Sequence, residues 1–486
     1  MEQFILRHQD EITGSLSCFD RLIFKGHLPI NHVQGMDDLL RKQGVLIKEP
    51  KPFVVRQAER LKAHAQRMAA RAGRPFHYLT ARVRKEEVAR AIAKDDGVTQ
   101  GLICILSMLE PCKSFKLIYG KGRPRLALAH RKCLSLYFYF LDREFGLMHV
   151  RLQTWFPFTI QVYINGHEYL ARKMARHGLA YKQVDNAFSW LADPKRAQRF
   201  ANGLIRKNWP RILEAFARRV NPLMQDLLHG MHHYWVLHQV EYATDIMFRD
   251  RSKLRDLYPR LLRHATLCFS AEDVLTFLGR KLNGNFAGEV LNECKKRHPG
   301  ARVKHRMKYN WIKMYDKHGC VLRVETVINQ PGEFKVRRRV RRKGVWITAW
   351  CPMRKGVSNL YRYVEVSARA NRRYLDALSQ IEDPHSSYRD LHEMAAPVRI
   401  HGRSARGFNP AARADIALFR AVLRGEHSIM GFRNVDIRRQ LLPESRDPAE
   451  RRRRSARVTR LLKRLHGHRL IAKVPRTRRW RVTDRG

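Results

Sequence analysis

The four residues Asp316-Lys317-His318-Gly319 stand between two runs rich in apolar and β-branched residues, Val303 to Met314 and Val321 to Ile328. Asp bends a chain by accepting bonds from its own following backbone, and Gly takes the left-handed conformation at no steric cost. Two β-rich runs joined by so short a polar turn predict adjacent strands. Working outward, Glu241 to Phe248 is a further strand, and 254–265, 271–281 and 357–381 have the spacing of amphipathic helices. Strands and helices mix without a regular strand–helix–strand period, which predicts an α+β fold around an antiparallel sheet.

Towards the N-terminus, Val54, Ala58, Leu61, Ala65 and Met68 mark a helix over 52–72, ended by Gly73-Arg74-Pro75. Gly101 to Leu106 and Ser114 to Tyr119 read as strands. Cys133 to Leu141 and Leu147 to Ile164 form a hairpin through Asp142–Gly146, with Pro157 breaking the second run. Helices follow at 167–177, 194–206 and 209–228. Composition divides the chain into an α/β segment 1–130, a hairpin-plus-helix segment 131–230, a mixed segment 231–381, an exposed Pro/Gly/Ser/His-rich connector 382–410 and a C-terminal module 411–486.

That module is the most patterned. Ile416, Leu418, Phe419 and Val422 mark one helix; Asn434 caps a second that Pro443 stops; a third runs from about Arg452 to His466. Leu470 to Val474 and Trp480 to Thr483 are strands around the basic loop Pro475–Arg479. The order resembles a winged helix-turn-helix. The resemblance implies a DNA-binding module whose third helix presents Arg453, Arg457, Arg460 and Arg464, with Arg476, Arg478 and Arg479 on the wing.

The chain has 96 Lys plus Arg against 44 Asp plus Glu, a net charge of +52. The last 76 residues carry 22 basic and seven acidic groups, about twice the density of excess charge of the rest. The body is basic too, so the charge is not one tail, and the matching partner is a polyanion with many phosphate contacts. DNA is favoured and a structured RNA is the alternative; a homodimer is compatible with either. A 44% hydrophobic share excludes wholesale disorder, and no apolar stretch reaches membrane-spanning length. The eight scattered cysteines lack a Cys-x-x-Cys pair, and no signal peptide is readable, so a reduced, cytoplasmic protein is expected. Without a Gly-x-x-x-x-Gly-Lys-Ser/Thr loop, a P-loop ATPase is disfavoured.

Four phrases carry chemistry: Glu241-Tyr242-Ala243-Thr244-Asp245, Phe277-Leu278-Gly279-Arg280-Lys281, Lys313-Met314-Tyr315-Asp316-Lys317 and Leu322-Arg323-Val324-Glu325. In this order, over about 90 residues, they resemble the palm of the rolling-circle replication initiators of plasmids and filamentous phages. The resemblance implies a tyrosine nucleophile, Tyr315, with Lys317 as phosphate or leaving-group partner. It also implies Mg²⁺ or Mn²⁺ on Glu241, Asp245 and Glu325, with His238 and His305 as supplements. The His-apolar-His metal motif of many such enzymes is missing from the chain. The implied function is a DNA-nicking initiator or transposase of a bacterial mobile element. The alternatives are a non-enzymatic winged-helix regulator and a binder of structured RNA.

Weaker candidates are Asp20 with His232-His233 as a metal group, and Tyr137–Phe140 and Gln153–Phe158 as base-stacking runs, although aromatic strand runs are commonly core. Phe19-Asp20-Arg21-Leu22-Ile23-Phe24-Lys25-Gly26 and Asn165-Gly166-His167-Glu168 are distinctive. They are similar to uncharacterised bacterial proteins that also end in a winged helix, a similarity that implies no chemistry.

Overall fold

A computed structural model describes residues 1–486 apart from 81–82, 120–123, 281–288, 298–299, 381–392, 401–402, 410–411, 476 and 484–486. The fold is mixed α/β with a large mixed sheet. In chain order the first strands are β1 (Ile12–His27), β2 (Phe76–Tyr78), β3 (Gly101–Ile118), β4 (Arg125–Asp142) and β5 (Gly146–Gln153). Next come β6 (Ile160–Ile164), β7 (Tyr181–Gln183), β8 (Phe188–Leu191), β9 (Tyr234–Phe248) and β10 (Val290–Arg297). The series continues with β11 (Gly300–Met307), β12 (Asn310–Lys317), β13 (Val321–Ile328), β14 (Lys335–Arg342) and β15 (Val345–Pro352). No helix among the described residues is long and apolar enough to cross a membrane.

The chain falls into two compact units. One comprises Met1–Thr13, Phe248–Val324 and Arg369–Gly486; the other Gly14–Met247 and Glu325–Ala368. The span 231–381 therefore contributes to both.

In the second unit, the Glu325–Ile328 half of β13 heads a sheet continuing β9–β1–β6–β5–β4–β3–β2. β3–β4, β4–β5, β5–β6 and β1–β6 are antiparallel, and β2–β3 is parallel. Alternation does not show in β4 because helices pack on both of its faces. Tyr137 and Tyr139 meet Ala89 of the helix Lys85–Asp95, whereas Phe140 meets Phe216 of the helix Trp209–Val220. Tyr137–Phe140 are buried, as are Gln153, Thr154, Phe156 and Phe158, so neither run is exposed for stacking on bases. The β4–β5 turn is as expected, its Asp142 Oδ1 accepting the backbone N–H of Glu144 at 2.8 Å and of Phe145 at 2.9 Å. Pro157 lies in the break between β5 and β6.

In the first unit, β10–β11–β12 and the Val321–Val324 half of β13 are neighbours. The Asp316–Gly319 turn forms, with Asp316 Oδ1 accepting the Gly319 N–H at 2.8 Å and Gly319 at φ 72°. Val303 to Met314 is not one strand: it folds back on itself at Lys308-Tyr309, where Lys308 takes a φ of 54° and Met307 pairs with Asn310. His305 sits in an aromatic core with Phe269 and Tyr374. Its Nδ1 lies 2.8 Å from Asn292 Oδ1 and its Nε2 2.8 Å from the Tyr374 hydroxyl.

The C-terminal stretch forms helices Arg413–Val422, His427–Met430, Asn434–Leu441 and Pro448–Gly467, then the paired strands Ile471–Lys473 and Trp480–Val482. Leu418, Val422, Ile437, Val458, Leu462, Leu465 and Ile471 close one core. Asn434 does not cap its helix. The preceding Arg433 is the cap, and the Asn434 amide instead bonds Ser455 O and Thr459 Oγ1. Only part of the connector 382–410 lies among the described residues. Within it Val398–Ile400 pairs with Arg403–Ala405, and Phe408 is buried in the C-terminal core.

Candidate functional site

Three neighbouring strands of the second unit, β13, β9 and β1, each supply one carboxylate. One ligand oxygen of each of Glu325, Glu241 and Asp20 lies within 4.8 Å of the other two. Glu325 is fully buried and Glu241 is 5% exposed; Asp20 is half-buried. At an effective dielectric of about 20, charges at that separation repel by roughly 3 kcal/mol per pair. A nearby cation relieves that repulsion. All the donors are hard carboxylate oxygens, the set that suits Mg²⁺ or Mn²⁺, and they include no thiolate or imidazole.

Of the three carboxylates that the sequence nominates as metal ligands, Glu241 and Glu325 fall in this cluster and Asp245 does not. Residues 241 and 245 share a strand face, but four residues of strand rise about 13 Å, too far for both to reach one ion. Asp245 lies instead beside His167, whose Nε2 is 3.4 Å from Asp245 Oδ2 and whose Nδ1 is 3.2 Å from Asp20 Oδ1. Cys18 Sγ lies 3.4 Å from the same Nε2. The imidazole, fully buried, lies within ion-pair distance of two carboxylates, one of which joins the triad, the place that outer-shell partners of metal ligands take.

Local sequence explains how His167 is delivered. Asn165 Oδ1 caps the helix Gly166–Arg176 by accepting the N–H of His167 at 2.8 Å and of Glu168 at 3.3 Å. A Cβ on Gly166 would sit 2.1 Å from the Phe19 carbonyl oxygen, so only glycine lets the helix start seat against β1 one residue from Asp20. Glu168 pairs with Arg90 at 3.0 Å. On the other side of Asp20, Asn186, in the β7–β8 turn, donates its amide to Oδ1 and accepts from Asn165 Nδ2 at 3.2 Å. Gln239 donates to Glu241 Oε1.

Arg21 Nη1 stands 4.0 Å from Glu241 Oε1. Burial opposes its charge, yet Glu241, Tyr163, Asp20 and Glu325 together hold the guanidinium pKa above its ordinary value. A second group is the opposite in sign. Burial, then Lys113, Arg151 and Lys355, lowers the Lys25 pKa. His238, on the exposed face of β9, is depressed to about 4, by desolvation first and then by Lys25, Lys355 and Lys113. His238 thus belongs with cations, not with the carboxylates. His305 is a core residue of the first unit, and His233 pairs with Glu214 at 3.0 Å, so none of these joins Asp20.

Tyr315 and Lys317 belong to the first unit, at the half-buried end of β12, where Tyr315 pairs with Arg302 of β11. Of the C-terminal arginines, Arg453, Arg457, Arg460 and Arg478 are exposed. Arg479 is half-buried and bonds the Met430 and Gly431 carbonyls. Arg476 lies outside the described residues. Arg464 leaves the exposed set: it is 8% exposed, and its guanidinium bonds both Asp415 oxygens and the Arg406 and Gly407 carbonyls. It also stands 3.7 Å over the Phe408 ring. Three of the four helix arginines are thus exposed, and connector carbonyls hold the fourth.

Sequence reasoning named Asp20 only beside the wrong histidines and attached no chemistry to His167. The signal was present, since both sit in the two phrases that stand out from the front of the chain. No family model, curated protein or solved structure matches this chain.

Proposed function

We propose that the chain is a nucleic-acid-binding protein that cleaves or transfers a strand, holding Mg²⁺ or Mn²⁺ on Asp20, Glu241 and Glu325. The observation that carries it is the convergence of three carboxylates, two of them buried, in a chain of net charge +52. Burying uncompensated charge costs several kcal/mol, so the cluster is best accounted for by a cation. A divalent ion there would polarise the scissile phosphate and offset its developing charge. His167 and Asn186 orient Asp20, and burial of Glu241 and Glu325 keeps the local dielectric low. Tyr315 is the nucleophile that the replication-initiator resemblance names.

The three longer C-terminal helices and the strand pair after them support a winged helix-turn-helix with Arg453, Arg457 and Arg460 towards the groove and Arg478 on the wing. DNA is the partner this favours. The crowding of Lys25, Lys113, Arg151 and Lys355 supports a phosphate track on the body as well, because a polyanion relieves their mutual repulsion. A replication initiator or transposase of a mobile element fits both.

Calorimetric titration with Mn²⁺ tests the metal centre. One equivalent binds the native chain, and Glu325→Gln weakens it at least tenfold; equal affinity in the two would remove the site. Supercoiled DNA incubated with Mg²⁺ or Mn²⁺ tests the chemistry: nicking with a covalent protein–DNA adduct is expected, and Tyr315→Phe should abolish the adduct. Nicking unchanged in that variant discards Tyr315 as the nucleophile.

Arg21 favours a second reading. A guanidinium 4.0 Å from Glu241 partly neutralises the carboxylates by itself. On that basis the cluster is structural, and the chain is a non-enzymatic winged-helix regulator or a structured-RNA binder. Arg21→Gln separates them, raising Mn²⁺ affinity if the centre holds metal and only lowering stability if it does not.

A further inference from the structure

β14 and β15 form a two-stranded ribbon separate from the large sheet, and they pair in full register from Lys335↔Pro352 to Arg342↔Val345. Strand alternation gives the ribbon two unlike faces. On one, Val336 and Cys351 are buried at the base and Arg338, Val340 and Ala349 are half-buried. On the other, Arg337, Arg339 and Arg341 of β14 stand opposite Trp350, Thr348 and Trp346 of β15, and all six are exposed. Trp346 is 60% exposed and Trp350 is 62% exposed. Indoles so open are unusual, because the ring gains more by burial than almost any other side chain. Arg339 holds its guanidinium 5.7 Å from the Trp346 ring centre. The base is braced where Arg362, in the first turn of the helix Leu360–Leu378, donates to the Arg337 carbonyl at 2.8 Å.

We propose that this face is a binding platform for a single strand of nucleic acid, with bases on Trp346 and Trp350 and phosphates on Arg337, Arg339 and Arg341. Charge selects the occupant. Residues 335–352 contain seven Lys or Arg and no Asp or Glu, so an apolar protein face would bury unpaired cations, whereas a phosphate chain neutralises them. The indoles select the strand state. Bases in a duplex are stacked on one another, and only a single strand can turn its π-faces onto tryptophan. The spacing agrees: Trp346 and Trp350 are four residues apart on one strand, about 13 Å, with the Arg339–Thr348 pair between them. An extended single strand would lay non-adjacent bases on the two rings and run its intervening phosphates past Arg339.

Only the nature of the partner is shared with the function proposed above, so binding is measured on the full chain with EDTA, where a failed metal centre cannot interfere. Fluorescence anisotropy of a labelled oligothymidylate, an oligouridylate of the same length and a duplex compares the native chain with Trp346→Ala/Trp350→Ala. That substitution leaves the net charge untouched. At least about tenfold weaker binding of single strands is expected, with the duplex little affected and Trp346→Phe/Trp350→Phe restoring most of the loss. Loss confined to either the deoxy or the ribo strand supports the platform and identifies its sugar. As a second variant, Arg337→Gln/Arg339→Gln/Arg341→Gln should flatten the slope of log affinity against log salt by about two, at ~0.7 per lost contact. Single-strand affinity unchanged in the tryptophan variant, or an equal loss on the duplex, would overturn the proposal. So would a change in sedimentation alone, which would make the ribbon a self-association arm.

Discussion

Gly166 and His167 show how single residues set the candidate centre. Replacing Gly166 by Ala puts a methyl group against the Phe19 carbonyl at 2.1 Å, a clash with backbone that no rotamer relieves. Gly166→Ala should cost about 1–3 kcal/mol of stability, as overpacking does, measured by denaturant unfolding. It should also weaken Mn²⁺ binding, because the helix start that carries His167 must withdraw from Asp20. His167→Gln separates the two effects: stability is affected less, while metal affinity falls about tenfold or more, in the range measured for outer-shell partners of metal ligands. A Gly166→Ala variant that binds Mn²⁺ as tightly as the native chain would disconnect the glycine from the site.

At the scale of elements, the helix Pro448–Gly467 divides its arginines between two jobs. Arg453, Arg457 and Arg460 project to solvent, while Arg464 is locked to Asp415 and the carbonyls that precede the first C-terminal helix. Removing one partner of a buried ion pair strands the other, at a cost of about 3–5 kcal/mol. Arg464→Ala should therefore destabilise the C-terminal helices, as read by their unfolding transition. Arg457→Ala should leave that transition in place and lower DNA affinity and its salt dependence. The helix itself was legible from Val458, Leu461, Leu462 and Leu465. The fate of Arg464 was not, because Asp415 reaches it only when the helices pack and Gly407 only when the connector folds over the helix.

Across the whole molecule the abundance of positive charge hides a sparse set of desolvated histidines with a measurable consequence. His149 is half-buried beside the rings of Tyr137, Tyr139 and Tyr163, and its pKa falls to about 3, from desolvation first and then from nearby Arg21, Lys85 and Arg151. Burial alone brings His305 to about 3. Both folded values lie below the ordinary 6.5, so between those limits the unfolded chain binds more protons than the folded one. Stability from these residues is complete above pH 6.5 and declines as pH falls towards 3, by up to about 1.4 kcal/mol per pH unit for each histidine. His149→Phe should make the decline measurably shallower in denaturant titrations across that range. An unchanged slope would mean that His149 is protonated while folded.

Much of the architecture could be read directly. The Asp316–Gly319 turn, the Asp142–Gly146 hairpin and the three longer C-terminal helices with the strand pair after them arise from turn chemistry and periodicity over a few residues, which sequence records locally. Glu241 and Glu325 were legible because they sit in phrases on strands. The Arg-rich run of β14 was also on view. Its pairing with Trp346 and Trp350 needed the register of the ribbon, and the burial of Tyr137–Phe140 needed helices from two distant stretches. Asp20 is hardest of all to infer: more than 200 residues separate it from Glu241 and 300 from Glu325. By itself the sequence determined that this is a basic, mixed α/β chain with a patterned C-terminal module. The tertiary structure alone decided which carboxylates meet, that Asp245 lies beside His167, and which arginines and tryptophans face outward. Local propensity acts over neighbouring residues, whereas a charge cluster is defined by strands that become neighbours only when the sheet closes.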